Sequence, residues 1–303
     1  MKKSVLSFAV VLIVSLVING LVFGAETAGK GTAHVYFDSL SLKKLSNDPP
    51  TESGEGKIYY RGTIGGGIDN NAVLMLHMDG TGGTFTDDSD TPHTPTAQGG
   101  ATQTSTPANT NLSDGVNVAS FDGTDDYLSI PDHADWDFGS GDFTIDYWVK
   151  IPVDSVGTHV SQWRTSDNFD ITVAGSGKVT AYMKGTSVFG ITSSTSVDDN
   201  IWHHIALVRN GNAQYLFIDG IKEGTDGSFS GSLPDSTEVL SLGSESSANF
   251  MNGYLDEVRI SKGIARWTSN FTPPSKNYTT DIPEGLYFKD ENGTVTPIIE
   301  ILP

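Results

Sequence analysis

The chain has 303 residues, 37 of them acidic against 18 basic, with a net charge of −19 and no cysteine. That length suits one sandwich-sized domain with tails, which hides about 70% of its unfolded surface and needs no disulfide to fold. So acidic a field disfavours nucleic acid and anionic membrane surfaces and leaves neutral glycans, cations and basic partners open, while the lack of Cys excludes thiolate metal sites and a lipoprotein anchor.

Residues 1–24 read as an export signal. Lys2 and Lys3 form a positive start, an apolar run from Val5 to Val17 follows, and Asn19-Gly20 breaks it ahead of a cleavage point near Gly24. The rival is an uncleaved anchor, because residues 5–23 approach the ~20 residues of a membrane span. Either reading exports the rest, to the cell surface or the extracellular space; no second hydrophobic span follows, so a cleaved chain keeps no membrane segment. Residues 25–70 form an N-terminal β segment and linker: residues 34–44 alternate like a strand, residues 47–56 are rich in Pro, Ser and Gly, and Lys57–Arg61 is a short strand before Gly65-Gly66-Gly67.

Residues 71–278 carry the main domain, expected to be an all-β, two-sheet antiparallel sandwich. The stretch 80–111, rich in Thr, Gly, Pro and Asp, reads as a long surface loop. Residues 121–130 (FDGTDDYLSI) place a strand beside an Asp/Gly turn. Within residues 142–150 (DFTIDYWVK), Phe143, Ile145, Tyr147 and Val149 fall on one face and Thr144, Asp146, Trp148 and Lys150 on the other. That alternation predicts one buried and one open face. Residues 202–209 and 213–218 flank Asn210-Gly211-Asn212, a hairpin signal. Residues 253–267 (GYLDEVRISKGIARW) give a last strand and one short turn at 264–267. Residues 279–303 form a C-terminal hairpin tail, in which residues 286–289 and 294–299 flank Asp290-Glu291-Asn292-Gly293. The aromatic strands KIYYR and LYFK echo each other; two unrelated edge strands remain the alternative.

The order and wording of FDGTDDYLSI, DFTIDYWVK, IWHHIALVRNGNAQYLFIDG and GYLDEVRISKGIARW resemble the laminin-G-like jelly rolls of the concanavalin A-like lectin/glucanase superfamily, in their bacterial and phage-borne branch. The resemblance implies a jelly roll and does not fix a function, because this fold hosts lectins, glycosidases and structural modules.

Catalysis is not expected. A retaining glycosidase needs two carboxyls about 5–5.5 Å apart, yet no Glu occurs between Gly56 and Lys222, and Asp146 has no acidic neighbour at the next same-face position, Trp148. No nucleophile elbow appears. His203 and His204 are adjacent and so face opposite ways in a strand, which rules out one paired zinc site and predicts one packed and one exposed ring.

Calcium is the expected cofactor, in a structural role, because hard oxygen ligands on loops suit it. Asp122, Asp125 and Asp126 share a turn, Asp79 ends the first strand and Asp256-Glu257 lies in the last. In related jelly rolls a calcium often ties an early segment to the last strand through the Asp matching Asp256. The resemblance therefore makes Asp256 the first ligand candidate, with Asp122, Asp79 and Asp125 beside it. The competing reading makes these residues plain turn formers. For a sugar ligand, Asp146 and Trp148 on the open face offer a carboxylate beside a stacking ring; the competing reading packs Trp148 under a covering loop. The sequence thus points to an exported glycan-binding or adhesion module of unfixed oligomeric state. A decoration module of a fibre or virion and a divergent glycoside hydrolase are its rivals.

Overall fold

The computed structural model describes residues 68–163, 168–185 and 188–278, with backbone alone at 225–227, and the backbone of five further strands at 4–8, 33–37, 57–61, 285–289 and 295–300. The chain divides into two compact units, residues 65–281 and a second one built from residues 1–64 and 282–303.

The larger unit is a two-sheet sandwich. One sheet runs Val188–Ser196, Lys178–Lys184, Phe169–Val173, Gly157–Ser161, Leu240–Leu242, Tyr127–Ile130, Thr96–Gln98. The other runs Ile221–Ser228, Ala213–Ile218, Trp202–Asn210, Phe143–Lys150, Asn252–Lys262, Val118–Asp122, Thr102–Thr104, with Ala72–Leu76 also paired to Asn252–Lys262. Every pairing is antiparallel. Phe143, Ile145, Tyr147 and Val149 meet Ile171, Val179, Leu207 and Leu242 in the core between the sheets, as their alternation requires. The hairpin closes with Asn210 opposite Ala213, so only Gly211 and Asn212 form the loop, and Gly211 takes φ 58°.

Three expectations need correction. The stretch 80–111 is not loop throughout: Thr96–Gln98 joins one sheet and Thr102–Thr104 the other. Residues 264–267 form no helical turn; the only helix among the described residues is the three-residue Ala134–Trp136. The face bearing Thr144, Asp146 and Trp148 is not open, and all three are buried. The covering segments are remote in sequence. Residues 264–278 cross that face, with Ile264 O accepting from Thr144 Oγ1 and Phe271 N donating to Gly220 O. Residues 108–113 are tied beside them by Ser113 N donating to Ser275 O and Trp202 Nε1 donating to Ala108 O.

In the smaller unit Ser4–Phe8 pairs with Ala33–Phe37, and Lys57–Arg61, Gly285–Lys289 and Val295–Glu300 form one antiparallel sheet. The two echoing aromatic strands therefore lie side by side, with Tyr59 opposite Tyr287. Residues 9–24 of the expected leader, the expected linker 47–56, Gly65–Gly67 and the expected turn 290–293 lie outside the described residues.

Candidate functional site

The covered face is organised by a bulge. Asp256 pairs with Trp148 and Arg259 with Asp146, so three steps on the last strand match two on its neighbour, and Glu257 takes φ 47° at the extra residue. This offset sets Arg259 directly opposite Asp146. Arg259 Nε donates to Asp146 Oδ1 at 3.0 Å and Nη2 to Oδ2 at 3.2 Å, while the Tyr278 hydroxyl donates to Oδ2 and His204 Nε2 lies 3.6 Å away. Burial alone would raise the Asp146 carboxyl; Arg259 and His204 outweigh it and hold it down at about 2. Asp146 is therefore a buried ion-pair partner, and the exposed carboxylate expected beside Trp148 is corrected accordingly.

Trp148 is 4% exposed and packs with Leu112, Val118 and Trp202. Even so, it lines a shallow pocket of about 360 Å³, shared with Asn111, Trp202, Asp219 and Pro273–Ser275. Trp148 Nε1 finds no acceptor among the described residues. Asp219 comes from the turn of the FIDG segment, with φ 51°. Its Oδ1 accepts from His204 N at 2.9 Å and its Oδ2 lies 2.8 Å from His203 Nδ1, whose Nε2 is 3.2 Å from Asp199. Burial works to raise Asp219, yet its bond to His203 keeps it below its usual value, so it stays a carboxylate. Both His203 and His204 are buried, against the expected exposed one: His203 sits between two carboxylates, and the residue 264–278 segment covers His204, whose ring meets Trp267 and Phe271 edge-on.

The four metal candidates do not converge on one ion. Asp122 lies opposite Asn252, four residues before Asp256, which separates them by roughly 13 Å along the strand. Asp122, Asp125 and Asp126 offer oxygens within 4.8 Å of one another. Two of the three already serve the turn: Asp122 accepts from Thr124 N, and Asp126 accepts from Gly100 N and Asp122 N. Asp79 and Asp256 belong to a second place. A pocket of about 400 Å³ there is lined by His77, Asp79, Asp88, Gln103, Asn277 and Tyr278. Burial, then the charge of Glu257, then that of Asp79, push Asp256 well above the usual carboxylate range. Asp79 accepts from Val116 N and Asn117 N, Asp256 from Asn109, and Glu257 meets His77 Nδ1 and Tyr278 N. Asn277 Oδ1 is buried without a hydrogen-bond partner.

Trp202, Asn111 and Asp219 were not singled out in the sequence as ligand contacts. The only signal was their place in motifs: Trp202 opens the IWHH strand on the face of Trp148, and Asp219 closes FIDG.

Residues 122–266 match the family model Laminin_G_3, described as Concanavalin A-like lectin/glucanases superfamily. The sandwich is laminin-G-like. No curated protein is significantly similar to the chain in sequence. In structure the laminin-G-like domain is similar to the binding domain of Paraclostridial Mosquitocidal Protein 1, with 17% identity and a TM-score of 0.53 over 65% of this chain and 50% of that one. It is also similar to the binding domain of botulinum neurotoxin DC in complex with SialylT, at 12% identity, TM-score 0.51, 66% and 50% coverage. The receptor binding domain of botulinum neurotoxin C/D mosaic serotype gives 10% identity and a TM-score of 0.51 over 65% and 49%. The chain thus spans about half the length of these structures, and the likeness concerns the fold. Among the described residues no helix is long and apolar enough to cross a membrane.

Proposed function

We propose that this chain is an exported, non-catalytic module that binds glycans, with calcium stabilising its laminin-G-like domain. The observation that carries the reading is the pocket joining the rings of Trp148 and Trp202 to Asp219 and Asn111. The exposed carboxylate of Asp219 and the amide of Asn111 suit the hydroxyls of a sugar, with the edges of the largely buried Trp148 and Trp202 rings as an apolar floor. The similar toxin domains support the choice of ligand class: one is solved with SialylT, and botulinum neurotoxin type C interacts with two ganglioside molecules. Against catalysis stands Asp146, the acid weighed for that role, which is buried against Arg259 and held ionised. The acidic chain, with the leader expected from its sequence, fits an extracellular setting with a neutral or basic partner.

For calcium, the Asp79–Asp256 place fits better than the Asp122 turn. Its donors are hard oxygens, Asp256 is crowded by like charge, and Asn277 Oδ1 has no partner. Asp79, Asp256 and Asn277 are the residues that would hold the ion, which would supply positive charge to the buried Asp256 and the half-buried Asp79. A glycan array probed with the exported protein in millimolar calcium tests the function. A defined set of bound glycans lost on Asn111→Ala is expected, and an array without any bound glycan would refute the reading.

A further inference from the structure

Away from both pockets, three acceptor atoms from two distant segments meet. His93 Nε2 is 3.1 Å from Asp135 Oδ2, His133 Nδ1 is 3.0 Å from the same oxygen, and all three atoms lie within 4.8 Å of one another. The other contacts of these groups decide where the protons sit. His93 Nδ1 lies 2.9 Å from Asp87 Oδ2, a buried carboxylate, which places a ring proton on Nδ1, so that in the neutral ring the lone pair is on Nε2. His133 Nδ1 accepts the Asp135 N–H at 3.2 Å, so it is the unprotonated nitrogen of its ring, and its single lone pair turns from that N–H to the ion on binding. Asp135 Oδ2 is buried and accepts no hydrogen bond among the described residues. With its ring neutral, His93 Nε2 faces the unpartnered Asp135 Oδ2 at 3.1 Å without a proton between them, an arrangement that a cation relieves.

We propose that His93, His133 and Asp135 bind a borderline divalent transition metal of the zinc class, with a fourth position open to water or an outside donor. Bonds of about 2.0–2.2 Å to a tetrahedral ion set ligand atoms about 3.3–3.5 Å apart, within a few tenths of an ångström of the two short separations. The His133 side chain is 51% exposed and can swing to close the third. Asp87 completes the arrangement by orienting His93 from behind, as outer carboxylates do at histidine metal sites. Its own place is fixed by the N–H groups of Met75, Ser89 and His93. Trp136 walls the other side, its ring 4.6 Å from that of His93. Two imidazoles select against calcium, so this site is chemically distinct from the oxygen-only groups. The ion would staple the segment ahead of Thr96–Gln98 to the Ala134–Trp136 turn. The rival is an imidazolium that satisfies Asp135 with a proton alone.

Titration of the untagged full chain with Co²⁺, read by visible absorption and competed with Zn²⁺, separates the two. One equivalent with the intense spectrum of four-coordinate cobalt is expected, displaced by zinc and lost in both His93→Gln and His133→Gln. Asp87→Asn is expected to weaken binding about 10–100-fold. Because His93 packs on Trp136 its variant risks misfolding; exposed His133 keeps the test decisive. The double variant Asp122→Asn, Asp125→Asn should bind cobalt normally. No stoichiometric cobalt, cobalt binding unchanged in a folded His133→Gln chain, or loss only in the double Asp variant would overturn the proposal.

Discussion

Asp146→Ala is the sharpest perturbation of the covered face. It removes the carboxylate that pairs with Arg259 and accepts from Tyr278, all three residues being buried. Breaking a buried pair by deleting one partner costs about 3–5 kcal/mol, because the remaining charge stays desolvated. For a domain of this size each kcal/mol shifts the melting temperature by about 2–4 °C, so a fall of roughly 6–20 °C is expected. Urea unfolding followed by tryptophan fluorescence should show a lower midpoint with an unchanged slope. Replacing both members, Asp146→Leu with Arg259→Met, should recover most of the loss. Acid gives an independent reading. The folded-state value near 2 against 3.8 means the ionised pair stabilises the fold above about pH 4, by about 2–3 kcal/mol, and this is lost as pH falls through 2. The difference between the wild type and Asp146→Asn should therefore shrink towards pH 2. A cost below about 1 kcal/mol, typical of a solvated pair, would refute the buried-pair account and return Asp146 to the surface.

Asp170 predicts the opposite pH trend. Burial and then the charge of Glu245 raise it to about 7, so the folded state binds the extra proton between pH 4 and 7 and loses stability as pH rises through that window. Asp170→Asn should gain on the wild type by up to about 4 kcal/mol from pH 4 to pH 8, measured by denaturation at each pH; a constant difference would contradict the shift. Trp148→Ala should lower unfolding free energy by about 3–5 kcal/mol, since that ring packs with Leu112 and Trp202, and a negligible loss would deny its burial. Calcium at about ten times a dissociation constant of 10⁻⁴–10⁻³ M should raise the melting temperature by roughly 3–6 °C, and Asp256→Asn should erase the rise; identical melting in chelator and calcium would leave the acids as turn formers. Purified protein should release no reducing ends from glucans or galactans, and release abolished by Asp146→Asn would restore the hydrolase reading.

The strands were legible because a half-buried sheet writes its period into the sequence, as in Phe143–Val149, and because Gly211 marks its hairpin. Pairing was legible at the Asn210–Asn212 hairpin, where the strands adjoin; Lys57–Arg61 and Gly285–Lys289 pair across more than half the chain, which their echo alone left open. Burial of the second face was not legible. Thr144, Asp146 and Trp148 carry polar or amphipathic groups of the kind found at surfaces, and the segment covering them begins more than a hundred residues later. The bulge at Glu257 that turns Asp256 and Arg259 to one face left no local sign, since its left-handed residue is not a glycine. Asp256 could be grouped with Asp122 and Asp125 only because the sequence does not show the strand pairing, which sets Asp122 opposite Asn252, four residues from Asp256. His93 and His133, forty residues apart, showed no spacing that would pair them.

Calorimetric titration of an array-selected glycan into the wild type and Asp219→Asn tests the central claim most directly. Asp219 is exposed at the pocket and the change keeps its shape, so folding should survive. Loss of a hydrogen bond to a charged group is worth about 1.5–3 kcal/mol, which predicts affinity weakened about 10–100-fold. Equal affinity in the two proteins would place the ligand elsewhere and contradict the Trp148–Trp202–Asp219 pocket as the binding site.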